Sequence, residues 1–135
     1  MDDMTSIVEI MDMLDWHQEP EIQARGRILA QKIEPIAPFI QPLTLRHNKN
    51  VWENCAIIIA ERNDEEIKQH LIELLEWLQD MNWPGFFQIL HRLQVYSDNI
   101  SINNAVAVCE IKAKDSKDIP WENNLRLLKL YREQG

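Results

Sequence analysis

Glycine is scarce in this sequence: three residues of 135, about 2% against a usual ~7%. An all-β chain of this length needs many tight turns, and glycine supplies the positive φ that those turns require. A β-sandwich or barrel is therefore nearly excluded. Positive charge is also short, with 14 Lys and Arg against 22 Asp and Glu and a net charge of −8. Phosphate contacts need clustered Lys and Arg, so this balance argues against a nucleic-acid partner. The two cysteines, Cys55 and Cys109, lie far apart without CxxC spacing, so they form neither a redox motif nor a zinc site. Their apolar neighbours mark them as buried free thiols of a reducing cytosol. No uncharged apolar run approaches the ~18 residues of a membrane span; the longest is Cys55 to Ala60. The start, MDDMTSIVEIMDML, lacks the basic and apolar regions of a signal peptide. The expected location is the cytoplasm, with no membrane partner.

What is present is helical. Apolar residues make up 45% and charged residues 27%, as in an ordinary globular protein, and 135 residues fit one domain, residues 1–135. Ile67, Leu71, Leu74, Leu75 and Leu78 recur at i, i+4, i+7, i+8 and i+11, the period of an amphipathic helix. Asn63 and Glu66 are placed to open it with a capping box. Val51, Trp52, Cys55, Ile57, Ile58 and Ile59 leave little polar face, which marks a central helix. Ile7, Ile10, Met11 and Leu14 form another stripe, and Ile22, Gly26, Leu29 and Ile33 the next. Gly26 on that face lets a neighbouring helix approach closely. Ile102, Ala105, Val106, Cys109 and Ala113 make a small-residue stripe, and Trp121, Leu125 and Leu128 begin the last. Pro20, Pro84 and Pro120 precede apolar runs and suit first helical turns, where a missing N–H loses no partner. Pro35, Pro38 and Pro42 prevent a long regular helix and imply a short, distorted helix or 3₁₀ turns, with Ile36, Phe39 and Ile40 packed inward. Thr44–Lys49 reads as a polar loop.

The expected class is thus all-α, with helices near 4–15, 20–33, 35–41, 50–61, 64–80, 84–96, 100–113 and 120–133. Short connections imply antiparallel neighbours. Residues 7–20 align without gaps on residues 71–84, with Glu9 over Glu73, Leu14 over Leu78 and Pro20 over Pro84. This repeat points to a stacked, right-handed HEAT-like or armadillo-like array; the alternative is an irregular helical bundle.

The stretch Leu74–Gly85, LLEWLQDMNWPG, resembles a small bacterial family known as a domain of unknown function, whose members look like compact HEAT-like helical domains. Glu61–Asp64 and Asp118–Glu122 fit the same pattern, and the resemblance covers residues 50–133. Residues 1–48 are less typical of it. The resemblance implies a fold and carries over no activity and no functional residues. Physically, the stretch reads as a helix–turn–helix corner, with Asp80 and Asn82 bonding turn amides and capping the next helix. An exposed Trp83 would make the corner face a partner.

No phosphate-binding, dinucleotide, zinc-protease or nucleophile-elbow motif is present. His17, His47, His70 and His91 have no ligand spacing with one another. No catalytic, cofactor or metal residue is therefore expected. Acidic pairs such as Asp12 with Asp15 and Glu73 with Glu76 fall on polar helix faces and read as solvated. The charge is uneven: residues 1–24 carry −7, residues 61–80 carry −5, and the part from Glu110 carries +1. The two acidic segments are those that align in the repeat, so their fields could add and steer a basic protein. The expected function is a non-enzymatic protein-interaction module, in concrete form an immunity-type inhibitor of a basic toxin. Its candidate partner-binding residues are Asp12, Asp15, Trp16, Glu73, Glu76, Asp80 and Trp83. The alternatives are an enzyme or small-molecule binder with a pocket among Trp16, Trp52, Trp83 and Trp121, and a structural homo-oligomer subunit.

Overall fold

A computed structural model describes residues 6–41 and 49–134. Asp2, Asp3, Pro42 and most of the expected Thr44–Lys49 loop lie outside the described residues. Helices account for nearly all regular structure, in the order α1 (Ile7–Met13), α2 (Pro20–Ala30), α3 (Trp52–Ala60), α4 (Asp64–Ile67), α5 (Leu71–Glu76), α6 (Phe86–Gln94), α7 (Asn99–Asp115) and α8 (Ile119–Gln134). Short 3₁₀ turns stand at Ala37–Phe39, Lys49–Val51, Lys68–His70 and Trp77–Gln79. The described residues contain no strand, and the fold is all-α. Among them no helix is long and apolar enough to cross a membrane.

Local chemistry starts most of these elements as expected. Asn63 accepts from the Glu66 amide at 2.9 Å, while the Glu66 carboxylate accepts from the Asn63 amide at 3.2 Å. Ser6 and Glu9 close a second such box at α1. Pro20 stands in the first turn of α2, and Pro120 in that of α8. Pro84 does not begin a helix. Gly85 follows it at φ +86° as the N-cap of α6, so the chain turns in the left-handed region before the helix forms. Asn82 does not cap α6, which has no side-chain cap. In α2 the buried face is Gly26 and Ala30 rather than Ile22, which is exposed. A Cβ on Gly26 would stand 2.9 Å from the Met13 Cβ, so the small face of α2 admits α1.

The expected single helix over 64–80 is divided. Asp64, at the head of α4, is held by Arg92 and by Ser97, whereas α5 packs on α7. The tightened turn at Lys68–His70 joins these two anchorages. Consecutive helices are neighbours for α1 with α2, α2 with α3 and α7 with α8, but α3 also packs against α6, and α5 packs against α7. The result is an irregular helical bundle around one core, in which Trp77, Phe39, Ile58, Leu74 and Leu125 are fully buried.

Inside the bundle the repeat extends past the prolines. Asn54 on α3 donates to the Leu14 carbonyl at 2.7 Å, and Asn124 on α8 donates to the Leu78 carbonyl at 2.7 Å. Leu14 and Leu78 are the residues aligned above. Eight residues further along, Arg62 donates to the Ala30, Ile33 and Glu34 carbonyls at the end of α2. Arg132 donates to the Leu93 and Gln94 carbonyls at the end of α6. Each arginine satisfies carbonyls that a helix C-terminus leaves open. The two units differ on their outer sides. Trp52, Ala56 and Ile59 of α3 are buried, whereas at α8 Arg126 and Lys129 are exposed and Glu122 is half-buried.

Candidate cleft at the corner of the second repeat

The corner between α5 and α6 is closed from within. Trp77 is fully buried and sends its indole N–H to the Pro84 carbonyl at 3.0 Å. The Asp80 carboxylate accepts from the Asn82 amide at 2.8 Å, an Asx-turn that holds residues 80–82. Trp52 meets Trp83 edge to face at 5.4 Å and Trp77 at 6.1 Å, the arrangement that aromatic quadrupoles favour. A Cβ on Gly85 would stand 2.7 Å from the Ala56 Cβ, so only glycine lets the corner seat on α3.

The start of α8 comes up against this corner. Trp121 donates its indole N–H to the Leu75 carbonyl at 3.0 Å, beside the Asn124 bond to Leu78. Between corner and helix lies a cleft of about 720 Å³. Met81, Trp83, Ile119, Pro120 and Leu127 form its apolar lining. Gln79, Asp80, Asn82, Asp118 and Asn123 supply polar groups, and no Lys or Arg lines it. Met81, Ile119 and Leu127 are exposed. Asp118 spends one carboxylate oxygen on the Trp121 amide. Asn124 also lines the cleft, at only 6% exposure. Among the described residues its Oδ1 has no donor.

The cleft gathers two of the seven expected site residues, Asp80 and Trp83. Trp83 is half-buried and packs against the core, so it is a wall rather than a protruding side chain. The other five lie elsewhere. Asp12 is exposed on α1. Asp15 accepts from the His17 amide at 2.8 Å and meets its ring at 3.0 Å; the amide bond foremost, helped by the ring, holds its carboxyl below the usual range. Trp16 is 44% exposed. Glu73 pairs with His70 at 2.6 Å, and Glu76 with Lys112. The aligned acidic segments belong to different packed pairs, α1 with α2 and α5 with α7. The four tryptophans Trp16, Trp52, Trp83 and Trp121 form no common pocket: Trp52 and Trp121 are buried, and of the four only Trp83 lines the cleft.

Two smaller grooves lie elsewhere on the bundle. The one between α7 and α8, about 460 Å³, contains the Lys129–Glu110 ion pair and the Arg132 guanidinium, which is bonded to Leu93, Gln94 and Asn99. The one between α5 and α7 is about 300 Å³ and includes Lys68 and Ile72. Among the described residues no group of three or more His, Cys, Asp or Glu could hold a metal ion. Cys55 and Cys109 are free and buried, and burial pushes both thiols up to about 12.

Sequence reasoning missed Asn54, Asn124, Arg62 and Arg132. A signal for them exists: an Asn followed eight positions later by an Arg occurs in both units, 70 residues apart.

No curated protein and no solved structure matches the chain. Residues 54–131 match the family described as Domain of unknown function (DUF5071). The matched span is more than half of the chain and contains the cleft lining from both sides. The chain therefore belongs to this family of domains of unknown function.

Proposed function

We propose that the protein is a non-enzymatic interaction module that receives a basic segment of a protein partner in the corner cleft. The observation that carries this reading is the composition of the cleft: five apolar side chains, two carboxylates and no cation among the residues lining it. Apolar floors supply affinity, and complementary charge supplies steering and discrimination. The net charge of −8 adds long-range attraction for the same class of partner. The repeated Asn and Arg anchors support reading the bundle as two HEAT-like units, the second of which presents the cleft. An immunity-type inhibitor of a basic toxin is the concrete form, and the buried free thiols fit a cytoplasmic setting.

Selection from a displayed library of random peptides tests the reading. Enriched peptides should carry Lys or Arg beside a large apolar residue and should release above ~0.5 M salt. Asp80→Asn with Asp118→Asn keeps the Oδ1 acceptors for Asn82 and Trp121 and should weaken capture about tenfold or more. Enrichment of acidic peptides, or capture unchanged in the double variant, would overturn it.

A further inference from the structure

The two repeats treat their buried asparagines differently, and the difference identifies what the cleft accepts. In the first repeat Asn54 is saturated from within the chain. Its Nδ2 donates to the Leu14 carbonyl at 2.7 Å and to Gln23 Oε1 at 2.9 Å, and its Oδ1 accepts from the Arg27 guanidinium at 2.6 Å. Gln23 in turn donates to the Trp16 and Gln18 carbonyls and plugs the corner between α1 and α2.

In the second repeat no such plug exists. The inner face of α6 is Phe86, Ile89 and Leu93, with Leu90 half-buried beside them. None of these can donate to Asn124. Asn124 keeps the bond to Leu78, yet its Oδ1 is left without a donor among the described residues, at the wall of the cleft. That oxygen opens to the solvent of the cleft rather than being sealed in the core, so a ligand that supplies a donor takes the place of water there. Asp80 and Asp118 line the same cleft.

We infer that the cleft is a receptor for an arginine side chain of the partner, its guanidinium donating to Asn124 Oδ1 and facing Asp80 and Asp118, with an adjoining apolar residue against Met81 and Leu127. This rests on the reading of the cleft as a site for a basic segment. The chain itself shows the bond in its first repeat, where Arg27 occupies Asn54 Oδ1. Guanidinium is preferred over ammonium because its planar fork serves an amide oxygen and a carboxylate at once, and because it is more weakly hydrated.

The test is a nuclear magnetic resonance titration of the full chain, read at the Asn124 side-chain amide and the Trp83 indole. The probes are N-acetyl-leucyl-arginine amide, its lysine counterpart and its citrulline counterpart. The arginine probe should give saturable shifts at both positions, with affinity at least about tenfold above the lysine and citrulline probes. Leu127→Lys, at an exposed cleft wall, should abolish the shifts without unfolding the protein. Equal binding of arginine and lysine would overturn the arginine inference and leave the basic-segment reading standing. Shifts that survive Leu127→Lys would place the site elsewhere and overturn the inference. Absence of saturable shifts with either cation would overturn both.

Discussion

The side-chain amide of Asn124 reaches across from α8 to the Leu78 carbonyl at 2.7 Å, and it does for the second repeat what Asn54 does for the first. Both asparagines are buried, and both bond a carbonyl where the preceding helix gives out. Asn54→Ala should cost about 2–3 kcal/mol, because it also strands Arg27 and Gln23; Asn124→Ala, with one bond to lose, should cost about 1–2 kcal/mol. Urea denaturation compares the two, and the reverse order would contradict the bonding described.

Arg62 is the most heavily bonded side chain in the first repeat. It is buried and donates to three carbonyls, to Gln31 Oε1 and to Glu66. Its removal leaves a helix end without donors, so Arg62→Met should cost about 3–5 kcal/mol, the range for breaking a buried charged network. Arg62→Lys should recover little, since an ammonium cannot span this fork of acceptors. Arg132→Met should cost less, because that side chain is only partly buried. Thermal melts of the three variants decide the ranking.

Two glycines should resist alanine for different reasons. At Gly26 a helix-propensity gain of about 1 kcal/mol is opposed by the Met13 Cβ at 2.9 Å. Overpacking of that kind costs about 1–3 kcal/mol, so Gly26→Ala should be mildly destabilising. At Gly85 the added Cβ meets the Ala56 Cβ at 2.7 Å at φ +86°, so steric conflict and backbone strain act together. Gly85→Ala should be the worse of the two in denaturant midpoint.

Acid should weaken the anchor at α4. Burial alone would raise the Asp64 carboxyl, but hydrogen bonds from Ser97 and Arg92 outweigh it and hold the carboxyl below its usual 3.8. A group whose folded value is depressed contributes stability above its unfolded value and loses it as pH falls through the folded one. Wild type should therefore lose stability below about pH 4 more steeply than Asp64→Asn. Parallel pH profiles of the two proteins would show that Asp64 contributes nothing to this slope.

The thiols should be inert until the fold opens. With both raised to about 12, only about one part in ten thousand is thiolate at pH 8, and the thiolate is the reactive form. An aromatic disulfide reagent should label neither cysteine in native protein and both in urea. Prompt labelling of Cys109, the less deeply placed of the two toward Glu76 and Lys112, would show local opening of α7.

Much of the helical content was legible because the signals are local. The capping box at Asn63 and Glu66 needs only four consecutive residues. The buried stripe of α7 needs one helical period, and all of Ile102, Ala105, Val106, Cys109 and Ala113 are buried as expected. The break at Lys68–His70 was not legible, since its cause is the grip of Arg92 and Ser97 on Asp64 from about thirty residues away. Nor was the acidic role of residues 61–80, where pairing engages Asp64, Glu66, Glu73 and Glu76 with partners inside the chain.

By itself the sequence determined the all-α class, the placement of most helices and the alignment of Leu14 with Leu78 and Pro20 with Pro84, because period, caps and prolines act within a turn or two of the chain. Only the tertiary structure decided which helices pair, and so which corner is plugged by Gln23 and Arg27 and which is left as a cleft. That choice depends on side chains of α8 meeting Leu75 and Leu78 across 46 positions of sequence, where burial and hydrogen-bond satisfaction, not local spacing, set the outcome.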